Sequence, residues 1–194
     1  MLEYKFKNFY EVVSFHAKNS PKSVAIFFED EKITYENLKL KIDTFARFLE
    51  LIGIKKKDSI GIMLINSPEF IISFLAVEKI GAIPVSINTF LKEDEIAYIL
   101  NDCKAKILIS SSKFQNETKN LFDKTAIKKI IWEGDFDDLD SNNINFNEIL
   151  SNLKSCKKDL LDVDLDDIAT IIYTSGTTGK PKGALLSYRN IFSN

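Results

Sequence analysis

The hydrophobic residues of this chain are grouped in short continuous runs rather than in strict alternation. Continuous apolar runs bounded by polar segments are typical of strands that are buried on both faces of a sheet. On this basis we predict strands at residues 24–28, 60–65, 82–87, 106–110, 129–132 and 168–173.

Between most of these runs, apolar residues recur every three or four positions, which is the period of an amphipathic helix. The clearest pattern begins after Thr34 and ends at Gly53. The next pattern has Ser67 as its N-cap, Pro68 at the first helical position and Gly81 just past its end. Similar patterns predict helices near residues 92–102 and 114–122. Strands that alternate with helices predict an α/β fold with a mostly parallel sheet flanked by helices.

Two acidic segments do not follow either pattern. Residues 133–147, EGDFDDLDSNNINFN, lack the spacing, the glycine and the terminal glutamate of a calcium-binding loop. We therefore interpret this segment as a solvated surface loop. The acidic residues 159–167 precede a predicted strand and are interpreted as a connector.

Composition limits the classes of function. The 194 residues carry 26 Lys and Arg against 28 Asp and Glu, so the net charge of -2 offers no broad attraction to nucleic acid. The most apolar long window, residues 70–87, is interrupted by Glu78 and Lys79, and we expect no transmembrane segment. The N-terminal residues lack the apolar run of a secretory signal. Cys103 and Cys156 are distant from each other, which favours free thiols and a cytoplasmic protein with no metal site.

One segment, YTSGTTGKPKG at residues 173–183, combines residue types that bind phosphate. Glycines allow the backbone to approach a ligand closely, hydroxyls add hydrogen-bond donors, and lysines supply positive charge. The hydroxyls belong to Thr174, Ser175, Thr177 and Thr178, the glycines are Gly176, Gly179 and Gly183, and the lysines are Lys180 and Lys182. The segment is predicted to be a polyphosphate-binding arch between two strands, and a plain flexible turn is the alternative.

A Walker-type loop does not fit these residues. That motif requires a glycine, four residues and then Gly-Lys-Ser or Gly-Lys-Thr at the start of a helix. Here Gly179 and Lys180 are followed by Pro181, and the preceding glycine is three positions back.

The same eleven residues are similar to the phosphate-binding signature of the adenylate-forming superfamily, which contains acyl-CoA synthetases, luciferase-type enzymes and the adenylation domains of peptide synthetases. Residues 33–39 and 61–109 also resemble the N-terminal region of that family, in the same order and at about the same spacing. One departure is Tyr188, which stands where many members have a histidine. Under this resemblance, residues 1–194 are the incomplete N-terminal portion of an AMP-binding synthetase or ligase domain.

The resemblance implies a two-step reaction. A carboxylic acid, expected to be a fatty acid, reacts with ATP in the presence of Mg²⁺ to give an acyl-adenylate, and CoA then accepts the acyl group. Acyl carrier protein as the acceptor and an aryl acid as the substrate are the alternatives, and a non-catalytic binding module is the alternative of another class. Lys182 is the expected catalytic residue, because its charge would neutralise the leaving pyrophosphate. The resemblance assigns ATP contacts to Thr174, Ser175, Gly176, Thr177, Thr178, Gly179 and Lys182. By itself, this chain is expected to bind ATP weakly and to show no catalytic turnover.

Three other residues are predicted to have structural roles only. His16 is expected to pack or cap near the end of an N-terminal helix. Cys103 has no cationic neighbour in sequence that would make it a nucleophile, and Trp132 closes an apolar run typical of a core strand.

Overall fold

The computed structural model describes residues 6–137, 139–152, 163–174 and 180–193. The helices are α1 (Phe9–Asn19), α2 (Tyr35–Leu51), α3 (Pro68–Lys79), α4 (Glu93–Asp102), α5 (Gln115–Thr118), α6 (Leu121–Lys124), α7 (Phe146–Asn152) and α8 (Tyr188–Phe192). The strands are β1 (Val24–Phe28), β2 (Glu31–Thr34), β3 (Ser59–Met63), β4 (Ile83–Ser86), β5 (Ile107–Ser111), β6 (Ile130–Glu133), β7 (Asn143–Asn145), β8 (Ile168–Thr174) and β9 (Lys182–Ser187).

The main sheet has the strand order β7-β6-β5-β3-β4-β8-β9 within the described residues. Neighbouring strands are parallel from β7 to β8, and β9 is antiparallel to β8. The predicted α/β fold with a mostly parallel sheet flanked by helices is confirmed. Both faces of the central strand β3 are buried, which explains why its sequence is continuously apolar.

The helix boundaries follow the predicted capping residues. Thr34 accepts a hydrogen bond from the backbone N–H of Asn37 through its hydroxyl, and Ser67 caps α3 in the same way. Gly53 and Gly81 follow α2 and α3 with φ angles of 92° and 68°. These left-handed conformations favour glycine and end the two helices.

Helices cover the two faces of the sheet with separate apolar cores. On one face, α1, α2, α3 and α7 form a core in which Phe45, Leu49 and Ile72 are fully buried. On the other face, Ile96 and Leu100 of α4 are buried against the sheet. The sheet is therefore held between two layers of helices.

The prediction for residues 24–28 was only partly correct. This segment forms strand β1, but β1 pairs with β2 in a separate antiparallel hairpin rather than in the main sheet. Phe27 is 70% exposed, so the strand is not buried on both faces. A run of apolar residues does not reveal which of them will be covered, because burial depends on the elements packed above them.

The surface-loop interpretation of residues 133–147 was also wrong in part. Strand β7 lies in this segment and extends the sheet beside β6, and α7 begins at the fully buried Phe146. The indole N–H of Trp132 donates to the Asn143 side chain over 3.0 Å. An edge strand can be rich in asparagine because part of its surface faces solvent.

The helix predicted near residues 114–122 is divided. A 3₁₀ turn, Ser112–Phe114, precedes the short helices α5 and α6. Thr118 donates its hydroxyl proton to the carbonyl of Phe114, and such side-chain bonds to the backbone are unfavourable in helix interiors.

Candidate nucleotide-binding site

The predicted phosphate-binding segment connects β8 to β9. Strand β8 ends at Thr174 and strand β9 begins at Lys182. These two residues are directly opposite each other in the antiparallel pair. Both are exposed, and side chains of directly opposed residues lie on the same face of a sheet. Two strands flank the segment, as predicted, so it does not lead into the N-terminus of a helix.

The central residues of the predicted site lie outside the described residues. These are Ser175, Gly176, Thr177, Thr178 and Gly179. Of the seven predicted ATP contacts, the structure therefore places Thr174 and Lys182 and brings them together at the base of the loop.

Gly183 has a packing role that differs from the predicted one. It lies opposite Tyr173 within strand β9, and its φ angle is not positive. A Cβ atom at this position would lie 3.0 Å from both the Cζ of Tyr173 and the Cγ2 of Ile171. The absence of a side chain therefore lets the Tyr173 ring lie over the β9 backbone, rather than letting the backbone approach a phosphate.

Both ends of the predicted loop contact α4. The Tyr173 hydroxyl donates to the Asp102 carboxylate over 2.5 Å, and the Nζ of Lys180 lies 5.4 Å from the centre of the Tyr98 ring. Burial, followed by the hydrogen bond to Asp102, raises the pKa of Tyr173, so this hydroxyl stays protonated and remains a donor at neutral pH. Sequence reasoning missed Tyr98 and Asp102, since nothing in a helix sequence identifies a partner 71 residues away.

Strands β3, β4, β5 and β8 end at one edge of the sheet because they are parallel. The loop from β8 lies at this carboxyl edge, beside the end of β4. Phe90, in the turn after β4, is 91% exposed. Ligands of open α/β sheets bind at the carboxyl ends of the strands, so the location suits a substrate site.

Clefts also occur at the opposite, amino-terminal edge of the sheet. One of about 450 Å³ lies where β4 and β8 begin and includes Lys56, Asp167 and Tyr188 in its lining. Another of about 310 Å³ is lined by Lys55, Lys106, Lys128 and Lys129, among others. Thr174 and Lys182 line neither of these clefts.

The side chain of Tyr188, which stands where many adenylate-forming enzymes have a histidine, is in the core. It is 1% exposed and packs with Val163 and Ala169, and burial raises its pKa. Its backbone N–H donates to the carbonyl of Asp167, while Arg189 binds Asp166 with two hydrogen bonds. The departure from the usual family sequence is therefore accommodated by packing.

The residues predicted to be structural have structural contacts. His16 stacks on Tyr35 with ring centres 4.8 Å apart, near the end of α1. Cys103 is half-buried at the end of α4, where burial raises the pKa of its thiol to about 11 and opposes formation of a nucleophilic thiolate. Trp132 is 3% exposed in the core. Cys156 lies outside the described residues.

Metal-binding and membrane-spanning features were sought in the described part of the chain. There, His, Cys, Asp and Glu side chains form no group of three that could hold a metal ion. No helix in the same ranges has both the length and the apolar character needed to cross a bilayer.

Comparison with known proteins decides the family. Residues 13–194 match the family model described as AMP-binding enzyme. The chain belongs to the AMP-binding enzyme family. This confirms the resemblance to adenylate-forming enzymes, and the match covers almost all of the sequence.

Individual members of the AMP-binding family agree with this assignment. The chain is 33% identical to gramicidin S synthase 2 of Brevibacillus brevis, over 97% of its own length and 4% of that protein. It is 29% identical to 2-succinylbenzoate–CoA ligase of Bacillus mycoides, over 88% of this chain and 31% of that enzyme. A solved structure of an anthranilate CoA ligase in complex with anthranoyl-AMP superposes with a TM-score of 0.87 and 26% identity, over 94% of this chain and 35% of that one. The chain thus spans about a third or less of the length of these relatives.

Proposed function

We propose that residues 1–194 are the N-terminal portion of an AMP-binding synthetase or ligase domain that activates a carboxylic acid with ATP and transfers the acyl group to CoA. The observation that carries this proposal is the strand–loop–strand unit at the carboxyl edge of the sheet, with Thr174 and Lys182 opposed at its base. Adenylation requires the triphosphate to be held while its α-phosphate is attacked, and this unit supplies hydroxyls, backbone amides and charge in one place.

In the proposed site, Thr174, Ser175, Thr177 and Thr178 donate hydrogen bonds to the β- and γ-phosphates. Gly176 and Gly179 let the backbone approach them. Lys182 neutralises charge on the departing pyrophosphate, which is electrostatic stabilisation rather than proton transfer. Its exposed side chain at the start of β9 is free of the apolar cores, so it can extend towards an anion.

Mg²⁺ would supply further charge neutralisation on the phosphates. The described residues contain no acidic cluster that fits it, so none of them is assigned as a ligand. The names of CoA ligases among the similar proteins support CoA as the acyl acceptor. Acyl carrier protein is the alternative acceptor.

The proposed acid is a fatty acid. An aryl acid is the second candidate, and it is favoured by the anthranoyl-AMP bound in the structural relative. The two acid classes differ in the shape of the pocket they need, so a substrate panel separates them directly.

The test is acid-dependent exchange between ATP and pyrophosphate. It uses the longest natural polypeptide that contains these residues, with short, medium, long-chain and aryl acids. We expect exchange with one class of acid, and we expect Lys182→Ala to reduce it about a hundredfold, as for other groups that stabilise developing charge. Lys128→Ala is the matched control, since this exposed lysine lies at the opposite edge of the sheet. No exchange with any acid from a folded protein would favour the non-catalytic binding module instead.

A further inference from the structure

The two ends of the predicted phosphate loop are attached to one face of α4. Tyr173, at the end of β8, bonds to Asp102, and Lys180, just before β9, lies over the ring of Tyr98. Tyr98 and Asp102 are four residues apart in α4, so their side chains are on the same face of the helix.

The helix that makes these contacts is itself firmly held. Ile96, Ile99 and Leu100 of α4 are at most 1% exposed in the core of the sheet. Its first turn is bound to α6, because Lys124 contacts both Glu93 and Asp94. A loop attached to α4 is therefore attached to a rigid support rather than to another loop.

The position of Asp102 is unfavourable for the helix alone. It is the last residue of α4, where the helix dipole places partial negative charge. A carboxylate there is destabilising unless a donor compensates it. The short hydrogen bond from Tyr173 provides that donor, so this carboxylate is better explained by its contact with the loop than by helix formation.

The Tyr173 ring is also held by strand β9. It packs over Gly183, its partner across the β8–β9 pair, where there is no room for a side chain. The ring therefore has a defined place, and its hydroxyl is directed to α4. One side chain thus links the start of the loop, the end of the loop and the helix.

We propose that Asp102 and Tyr98 are positioning residues for the phosphate-binding segment. Asp102 fixes the β8 end through Tyr173, and Tyr98 holds Lys180 near the β9 end through a cation–π contact. Together they hold the two described ends of the segment, Tyr173 and Lys180, against α4, and Lys182 is left to face the phosphates. This inference rests on the proposed function.

The test measures the KM for ATP in the pyrophosphate exchange reaction of the full natural polypeptide. Asp102→Ala and Tyr173→Phe each remove the hydrogen bond, and we expect each to raise this KM about tenfold while the KM for the acid stays the same. The double variant should be no worse than either single variant, because both changes break one interaction. Asp102→Asn keeps an oxygen that can accept from Tyr173 and should restore most of the affinity for ATP.

Two further variants test the cation–π contact. Tyr98→Phe keeps an aromatic face under Lys180, whereas Tyr98→Leu removes it, so only the second should raise the KM for ATP. Asp123→Ala, which removes an exposed acid from the neighbouring helix α6, is the matched control. A wild-type KM in Asp102→Ala, or additive effects in the double variant, would overturn the proposal. A lower kcat with an unchanged KM for ATP in Asp102→Ala would also overturn it, since that result indicates a merely structural role for Asp102.

A second readout does not depend on activity. Hydrogen exchange of the backbone amides in residues 173–183, measured without nucleotide, should become faster in Asp102→Ala and remain unchanged in Asp123→Ala. If no acid supports adenylation but this exchange is still faster, the proposed function fails, while the attachment of the segment to α4 through Asp102 is supported. If adenylation is present and the exchange is unchanged, the positioning role fails by itself.

Discussion

The ammonium group of Lys79 on α3 lies 2.6 Å from the carboxylate of Asp43 on α2, and both side chains are almost fully buried. The same carboxylate accepts from the hydroxyl of Tyr10 on α1 and from Lys39. Burial alone would raise the pKa of Asp43, but these hydrogen bonds and the charge of Lys79 bring it below its usual value. A single acid thus joins three helices of one core layer.

Asp43→Ala is expected to destabilise the protein by about 3–5 kcal/mol, because it leaves the charge of Lys79 buried without its carboxylate partner. The measurement is denaturant unfolding. Lys39→Ala is the control, since Lys39 is 31% exposed and its loss should cost at most about 1 kcal/mol. Equal losses in the two variants would show that burial of the pair does not determine its contribution.

Glu78 should make stability fall as pH rises. Burial raises its pKa to about 8, although backbone N–H groups of Phe9 and Tyr10 oppose the shift. The folded state then binds the proton more tightly than the unfolded chain. The stabilisation is complete below the ordinary pKa of 4.5 and is lost as pH rises to about 8.

The expected loss is a few kcal/mol, since each pKa unit is worth about 1.4 kcal/mol. Glu78→Gln should abolish this pH dependence, because the glutamine amide does not titrate. The amide oxygen can still accept the hydrogen bond from the N–H of Tyr10, so the fold should be retained. Denaturant unfolding at several pH values between 5 and 8 measures the effect. Glu36→Gln, at an exposed position, should leave the profile as in the wild type.

Gly183→Ala should disturb the base of the predicted phosphate-binding segment. The added Cβ would meet the Tyr173 ring and Ile171 at 3.0 Å, so the ring must move away from β9. We expect a loss of about 1–3 kcal/mol in unfolding free energy and a higher KM for ATP. Ala184→Ser is the control, because Ala184 is the exposed next residue and points to the other face. Wild-type behaviour of Gly183→Ala would refute the close packing.

Gly61 is required where strand β3 passes under α4. A Cβ at this position would lie 2.8 Å from the Cδ2 of Leu100 and 3.1 Å from side chains of Ile87 and Leu108. Gly61→Ala should therefore cost about 1–3 kcal/mol in thermal or denaturant unfolding.

Leu100→Ala removes the atom that Gly61→Ala would meet. The double variant should thus lose less stability than the sum of the two single variants. Strict additivity would mean that the two positions do not compete for the same space.

Much of the fold could be predicted from local patterns. Helices α2 and α3 follow from their apolar period and from Thr34, Ser67 and Pro68, since capping and proline preferences act within a few residues. Parallel strands such as β3 are buried on both faces, so their continuous apolar sequences identify them. The proposed phosphate-binding segment at residues 173–183 was recognisable because the residue types that it combines are adjacent in sequence.

Other features depend on partners that are distant in sequence. Residues 24–28 form a strand, but only long-range packing decides that β1 joins β2 in a separate hairpin. Strand β7 has no apolar pattern and is a strand because β6 offers it a free edge. The charges of Glu78 and Lys79 interrupt an apolar window in the sequence, yet both side chains are buried once Tyr10 and Asp43 come close.

The candidate site also combines features that local sequence determines with features that depend on long-range packing. The residue types that can hold phosphate are written in consecutive positions, and no folding is needed to recognise them. The attachment of Tyr173 to Asp102 joins residues that are 71 positions apart, and it exists only because β8 ends beside the end of α4. Local sequence thus specifies the groups proposed to bind phosphate. The packing of helix on sheet decides which residues hold the ends of the segment in place. A contact between residues that are distant in sequence forms only when the folded sheet has brought them together.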